Sequence, residues 1–265
     1  MAMLASLDQA EADQPPGQYY EDVESSRIWL AKAWRDLWQH WRLALGTGAC
    51  VALIGYLLLR GLEQIGLGSL ILPLASGFLL TAPLAAVPLY EASRLGEAGR
   101  PITINALRTL WQRSGDQILL MGAILVMLEL VWLLLAFVLF ALFFAGAPPG
   151  LDNWLVTLLT PPGHPVFLLL GTAVGGALAV IAFAISAFSL PLLVDRTISV
   201  TDAIQTSVAL TLQHRQSMIG WAATIAVLTG AGLLLGFVGL IITFPLVSFA
   251  SWHAYCGLCR TTAGQ

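Results

Sequence analysis

The stretch ILLMGAILVMLELVWLLLAFVLFALFFA, running from Ile118 to Ala145, decides which solvent this chain folds in. It exceeds the roughly 20 apolar residues that cross a bilayer as a helix, and Glu129 is its one charged side chain. A soluble amphipathic helix would carry a polar face; this run has none. Outward from it, apolar stretches lie near residues 43–62, 68–90, 166–194, 217–236 and 237–257, so the sequence predicts six spans. The last two are separated by no charge. Gly236 and Gly239 are the expected turn there, because glycine tolerates the backbone angles of a reversal.

Composition agrees. The chain is 58% hydrophobic and 10% charged, where soluble domains carry about a quarter charged residues. A net charge of −3 gives no basic patch, so nucleic acid is not an expected partner. Cys50, Cys256 and Cys259 do not make a disulfide framework. Residues 1–26 hold Asp8, Glu11, Asp13, Glu21, Asp22 and Glu24 around Pro15-Pro16-Gly17. They contain no Lys or Arg, so the expectation is a disordered acidic tail and not a cleavable signal. Residues 27–258 form the predicted membrane domain and residues 259–265 a short tail. Pro148-Pro149 and Pro161-Pro162 bracket a loop in which Leu151 to Thr160 is a candidate short helix.

Orientation follows from Lys and Arg. Arg27, Lys32, Arg35, Arg42, Arg94, Arg100, Arg108, Arg113, Arg196, Arg215 and Arg260 fall on one side of the predicted topology, and Arg60 alone on the other. The first side is therefore expected to be cytoplasmic, with both termini there.

The cytoplasmic connections look helical. Residues 27–41 place Ile28, Ala31, Trp34, Trp38 and Trp41 on one face, with Arg27, Lys32, Arg35, Asp36 and Gln39 elsewhere. Residues 101–113 repeat the pattern with Ile104, Leu107 and Trp111, and residues 200–213 open with Ser199 and Asp202 at capping-box spacing. All three read as interfacial amphipathic helices, with Trp at headgroup depth and Arg reaching anionic lipid headgroups. Each precedes two spans, the second of which contains a Pro-Leu pair: Pro88-Leu89, Pro191-Leu192 and Pro245-Leu246. The predicted fold is thus all-α and polytopic: six transmembrane helices as three pseudo-repeated pairs, each preceded by a cytoplasmic interfacial helix.

Few residues carry chemistry. Glu129 lies near the middle of its span, sharing a face with Gly122, Leu125, Trp132 and Ala136. A charge at bilayer centre costs about 2.5–3.5 kcal/mol on insertion scales. Glu129 is therefore either an intramembrane proton or cation site or a neutral carboxyl hydrogen-bonded inside the protein. Glu91 with Arg94, and Asp195 with Arg196, stand at expected cytoplasmic helix ends; they read as ion pairs ending helices or as a shared contact surface. His253, Cys256 and Cys259 have helical spacing, but a structural zinc site wants four ligands. No metal and no cofactor is called for; haem ligation by His253 has no second feature behind it. There is no phosphate-binding glycine loop, no His-Glu-x-x-His and no Gly-x-Ser-x-Gly, so no enzyme is expected.

Several runs resemble the DUF2189 family of predicted bacterial integral membrane proteins. They are Leu72 to Phe78, Pro88 to Arg94, Phe188 to Arg196 with Ala203 to Ser207, and Ser251 to Tyr255. The resemblance covers roughly residues 28–258 and implies a bacterial inner membrane and little chemistry. The functional expectation is an accessory, assembly or structural subunit of a larger membrane complex, contacting lipid and other membrane subunits. The alternative is a small transporter or channel using Glu129.

Overall fold

The computed structural model describes residues 18–65, 74, 81–143 and 164–262. Among them the elements are all helical: α1 Gln18–Gln39, α2 Trp41–Gln64, α3 Val87–Glu97, α4 Ile104–Phe143, α5 His164–Ser186, α6 Ser189–Asp195, α7 Val200–Gln213, α8 Arg215–Leu234 and α9 Leu240–Thr262. Among the described residues five segments are long and apolar enough to cross a membrane: Trp41–Gln64, Ile104–Phe143, Pro165–Asp195, Arg215–Leu234 and Leu240–Cys259. The stretch expected as a second span, 68–90, and the loop helix at 151–160 lie wholly or largely outside the described residues. α1 begins at Gln18, inside the stretch read as a disordered tail.

Outward-facing apolar side chains dominate the spans, as lipid allows. Met127, Leu134, Phe137 and Leu142 on α4 and Val227 on α8 are all well exposed. Inward, one large core cluster joins residues of α1, α3, α4, α6, α7, α8 and α9 at the end of the bundle where the Arg-rich connections meet. A small cluster of Val51, Ala52 and Leu240 closes the opposite end.

α9 is the axis. It packs against α1, α2, α3, α6 and α8, and Phe249, Ala250, Trp252 and Tyr255 on it are almost fully buried. Pro245 lies inside α9. Proline has no N–H, so the Ile241 carbonyl one turn back loses its helical partner. The α2 backbone comes against that same carbonyl at Gly48, where a Cβ would overlap the oxygen. The turn between α8 and α9 falls where the glycines predict it, with Gly236 at φ 65° and Phe237 at φ 68°. The Phe237 ring lies over Gly55 of α2.

Breaks precede the other two Pro-Leu pairs. α3 starts after a turn at Ala86, and α6 starts after Ala187 and Phe188. At the second break Ser207 of α7 takes the place of a helical bond. Its Oγ accepts from Phe188 N at 3.1 Å and donates to Ala184 O at 2.7 Å. A hydroxyl inserted between an N–H and its i−4 carbonyl is a known cause of a helix bend.

The interfacial helices differ from expectation. α4 is one unbroken helix of 40 residues, about 60 Å long against a hydrocarbon core of about 30 Å. Residues 104–113 therefore extend the span and do not form a separate helix; no proline interrupts 104–143. α7 is capped as predicted, the Ser199 side chain accepting from Asp202 N. It buries Val200, Ala203, Ser207 and Leu210 and exposes polar Thr201, Asp202, Gln205 and Gln213 with Leu212, a face with neither Trp nor cation. α1 keeps the predicted apolar face exposed and buries another stripe, Trp29, Ala33, Asp36 and Leu37, against α9.

Candidate functional site: a buried polar knot

The sequence motifs converge where α1, α3 and α9 meet. Asp36 belongs to the buried stripe of α1, set by 3- and 4-residue spacing from Trp29, Ala33 and Leu37. Its Oδ2 accepts from Ser93 Oγ of α3 at 2.7 Å and lies 2.9 Å from His253 Nε2 of α9. The other ring nitrogen of His253, Nδ1, is 3.9 Å from Glu97 Oε1 of α3. That oxygen also accepts from Trp252 Nε1 at 3.1 Å and from Cys256 Sγ at 3.5 Å. One histidine thus stands between two carboxylates from two other helices.

Burial would raise the Asp36 carboxyl. The hydrogen bonds from His253 and Ser93, with the nearby charges of His253 and Arg35, outweigh it and hold the group below its ordinary 3.8. His40, one turn after Asp36, lies against Gly96 and Phe249. Its pKa is lowered from 6.5 by burial, which Asp36 offsets in part.

Apolar contacts surround the knot. Trp252 stacks with Tyr90 at 6.5 Å between centroids, and Trp29 meets Trp221 of α8 edge-on at 5.7 Å. Beside it, Tyr255 O–H donates to Asp195 Oδ2 at 2.7 Å, tying α9 to the end of α6. Arg113 of α4 donates to the Val194 carbonyl, and the side chain of Gln117 accepts from Val200 N at 2.8 Å. Together these clip the chain between α6 and α7 onto α4.

Each residue singled out in the sequence has a definite place. Glu91 and Arg94 form a two-pronged pair inside α3, Nε to Oε2 and NH2 to Oε1, both 2.7 Å. Glu91 is buried, and Arg94 lies in the last turn of α3, which ends at Glu97. Asp195 ends α6, while Arg196 is exposed just beyond it. His253 is at the knot. Glu129 lies elsewhere, on the packed face of α4 with Gly122, Leu125 and Ala136, its Oε2 buried without a hydrogen-bond partner. His253 and Cys256 both approach Glu97, while Cys259 is buried in the apolar core, so the three do not gather at one point. Among the described residues no group of three His, Cys, Asp or Glu is placed to hold a metal ion.

Sequence reading missed Asp36, Ser93, Glu97 and Trp252 as a unit. Asp36 is the acid on the 29–33–36–37 stripe, but the sequence does not distinguish that stripe from the exposed apolar one.

A family model described as "Predicted integral membrane protein (DUF2189)" matches residues 71–195. Residues 71–195 of this chain are similar to that family. The DUF2189 match contains Glu91, Ser93, Arg94 and Glu97, and it ends on Asp195, the acid that Tyr255 reaches. The protein is an integral membrane protein with several apolar helices. No curated protein and no solved structure matches the chain.

Proposed function

We propose that this DUF2189 protein is a non-enzymatic protein of the bacterial inner membrane, working by contact as an accessory, assembly or structural subunit of a larger complex. The observation that carries this reading is the closure of the polar knot. Ser93 and His253 both bond Asp36, Glu91 bonds Arg94, and Asp195 bonds Tyr255. Ser93 donates to the same Asp36 oxygen that His253 faces, so the serine is not aimed at the base as a nucleophile requires. Such groups hold helices in register. The Lys and Arg bias supports cytoplasmic termini, with the knot at the cytoplasmic end. The breaks ahead of Pro88 and Pro191 support the three-pair repeat and six spans, Pro245 being the unbroken third.

The test is purification of the tagged protein from its native host in mild detergent, with mass spectrometry of what accompanies it. A stoichiometric membrane partner is expected. A protein that emerges alone from every mild detergent overturns the subunit reading.

The alternative, a small transporter or channel, has one observation in its favour: the unpartnered Glu129 Oε2 within a span. Proton or cation flux in liposomes, abolished by Glu129→Gln, would establish it.

A further inference from the structure

α1 has two opposed faces, and charge is sorted between them. Inward lie Trp29, Ala33, Leu37 and the acid Asp36, which the knot consumes. Outward lie Ile28, Trp34, Trp38 and, on the first turn of α2, Trp41, at 46%, 49%, 59% and 49% exposure. Arg27, Lys32, Arg35 and Arg42 are exposed too. Arg27 stands two helical turns from Trp34 on the same side, so cations and indoles interleave and are not segregated as the sequence suggests. Between Arg27 and Arg42 the exposed surface carries four cations and no carboxylate, because Asp36, the one acid in that stretch, is turned inside.

The position of this face fixes what meets it. α1 passes into α2 through His40 alone, with backbone bonds continuing across the junction from His40 N to Asp36 O and from Ala44 N to His40 O. α2 crosses the membrane, so the helix joined directly to its start lies at the bilayer surface. Arg42 already stands over the Trp41 ring, 5.3 Å from its centroid. Indoles settle at the headgroup boundary, while arginine stems lie along apolar surface and carry their charge to the phosphates. α7 lacks both features, and α4 carries Trp111 with Arg108 and Arg113 on an extended helix, Arg113 being bonded to the Val194 carbonyl.

We propose that the Trp34–Trp38–Trp41 face of α1, with Arg27, Lys32, Arg35 and Arg42, is a binding surface for anionic phospholipid headgroups of the bilayer, and that the Asp36–His253 contact holds the helix in the orientation that presents it. This goes beyond the subunit reading and does not depend on it.

The test uses the full chain in mild detergent, mixed with equal amounts of phosphatidylglycerol and phosphatidylcholine, repurified, and assayed for retained lipid by mass spectrometry. Loss of each cation weakens attraction to an anionic surface by about fivefold. Wild type should retain phosphatidylglycerol by about fivefold or more over phosphatidylcholine, and the preference should shrink as salt rises, a readout that needs no variant. Arg27→Gln, Lys32→Gln and Arg35→Gln combined, which leave Arg42 in place, should lower the ratio by about fivefold or more, whereas Arg108→Gln should leave it unchanged. An unchanged ratio in the triple variant, insensitivity to salt, or loss of preference with Arg108→Gln alone overturns the proposal. So does a dimer that buries Trp34 and Trp38 and excludes lipid from them.

Discussion

His253 Nε2 and Asp36 Oδ2 lie 2.9 Å apart across 217 residues of chain, joining the last helix to the first. Both side chains are nearly inaccessible, at 4% and 9% exposure. A buried pair of this kind is a weak source of net stability, yet it is expensive to halve, because the surviving member keeps its desolvation cost without its partner. His253→Ala or Asp36→Ala should each destabilise the protein by about 3 kcal/mol. The double variant should cost clearly less than the two single effects together. Thermal unfolding in one detergent checks this, and strictly additive single effects would show that the two residues do not act as a pair.

Acid should weaken the same region in two stages. A base whose folded pKa is lowered, as for His40, leaves the unfolded chain holding more protons. Its contribution is complete above 6.5 and is lost as pH falls through the folded value. An acid whose folded pKa is lowered, as for Asp36, contributes fully above 3.8, and that contribution is lost as pH falls through its depressed value. A melting-temperature profile should therefore decline first below about pH 6.5 and again below about pH 4. His40→Gln should remove the first decline and Asp36→Asn the second. A flat profile down to pH 4 in wild type would contradict the His40 stage.

The Gly48 approach to Ile241 ties α2 to a carbonyl that Pro245 has deprived of its helical partner. A methyl at Gly48 has backbone to displace and no flexible side chain, so Gly48→Ala should separate α2 from α9 at a cost of about 1–3 kcal/mol. Gly46 has nothing within 4 Å of a would-be Cβ. Gly46→Ala should be neutral or stabilising by up to about 1 kcal/mol, as expected for glycine removed from a helix interior. Equal melting temperatures for the two variants would show that the contact does not constrain packing.

Glu129→Gln should fold and express like wild type, because the amide is nearly the same shape as the carboxyl and Oε2 accepts no hydrogen bond that the change would break. Gel filtration in detergent is the measurement. An aggregated or unexpressed variant would mean that the ionised form holds the helices together.

Spans were legible because lipid excludes charge, and hydropathy reads that directly; the α8–α9 turn was legible in Gly236. The packed face of α1 was not. In a soluble helix the apolar stripe points to the core, but beside a bilayer Ile28, Trp34 and Trp38 have lipid to face, and the stripe at Trp29, Ala33 and Leu37 can claim the protein. Hydropathy has no means of telling the two apart. The continuity of α4 through residue 113 was readable in the absence of proline, yet the tryptophan pattern at Ile104, Leu107 and Trp111 suggested a separate element. His253 stood out beside Cys256 and Cys259 at helical spacing, while its partner Asp36 is 217 positions away and outside that pattern.

Ser207 makes the sharpest case for a polar side chain that shapes the backbone. Its hydroxyl stands between Phe188 N and Ala184 O, the two groups that would bond each other in an unbroken helix. Pro191, three residues on, withholds a further N–H from the Ala187 carbonyl, so the break is already favoured there. Ser207 is fully buried, and no water is needed to satisfy the two groups it bridges. Ser207→Ala leaves a donor and an acceptor facing each other without the hydroxyl, at about 1–3 kcal/mol for the unsatisfied groups. The alternative for the chain is to close the ladder, straightening α5 into α6 and pulling Asp195 away from Tyr255. Amide exchange separates the two responses. Faster exchange at Phe188 means an open break with an orphaned N–H. Exchange slowed there, with the Tyr255 hydroxyl freed, means that the helices have fused and that Ser207 was the residue keeping them apart. An unchanged rate at Phe188 would show that the hydroxyl plays no part in the break.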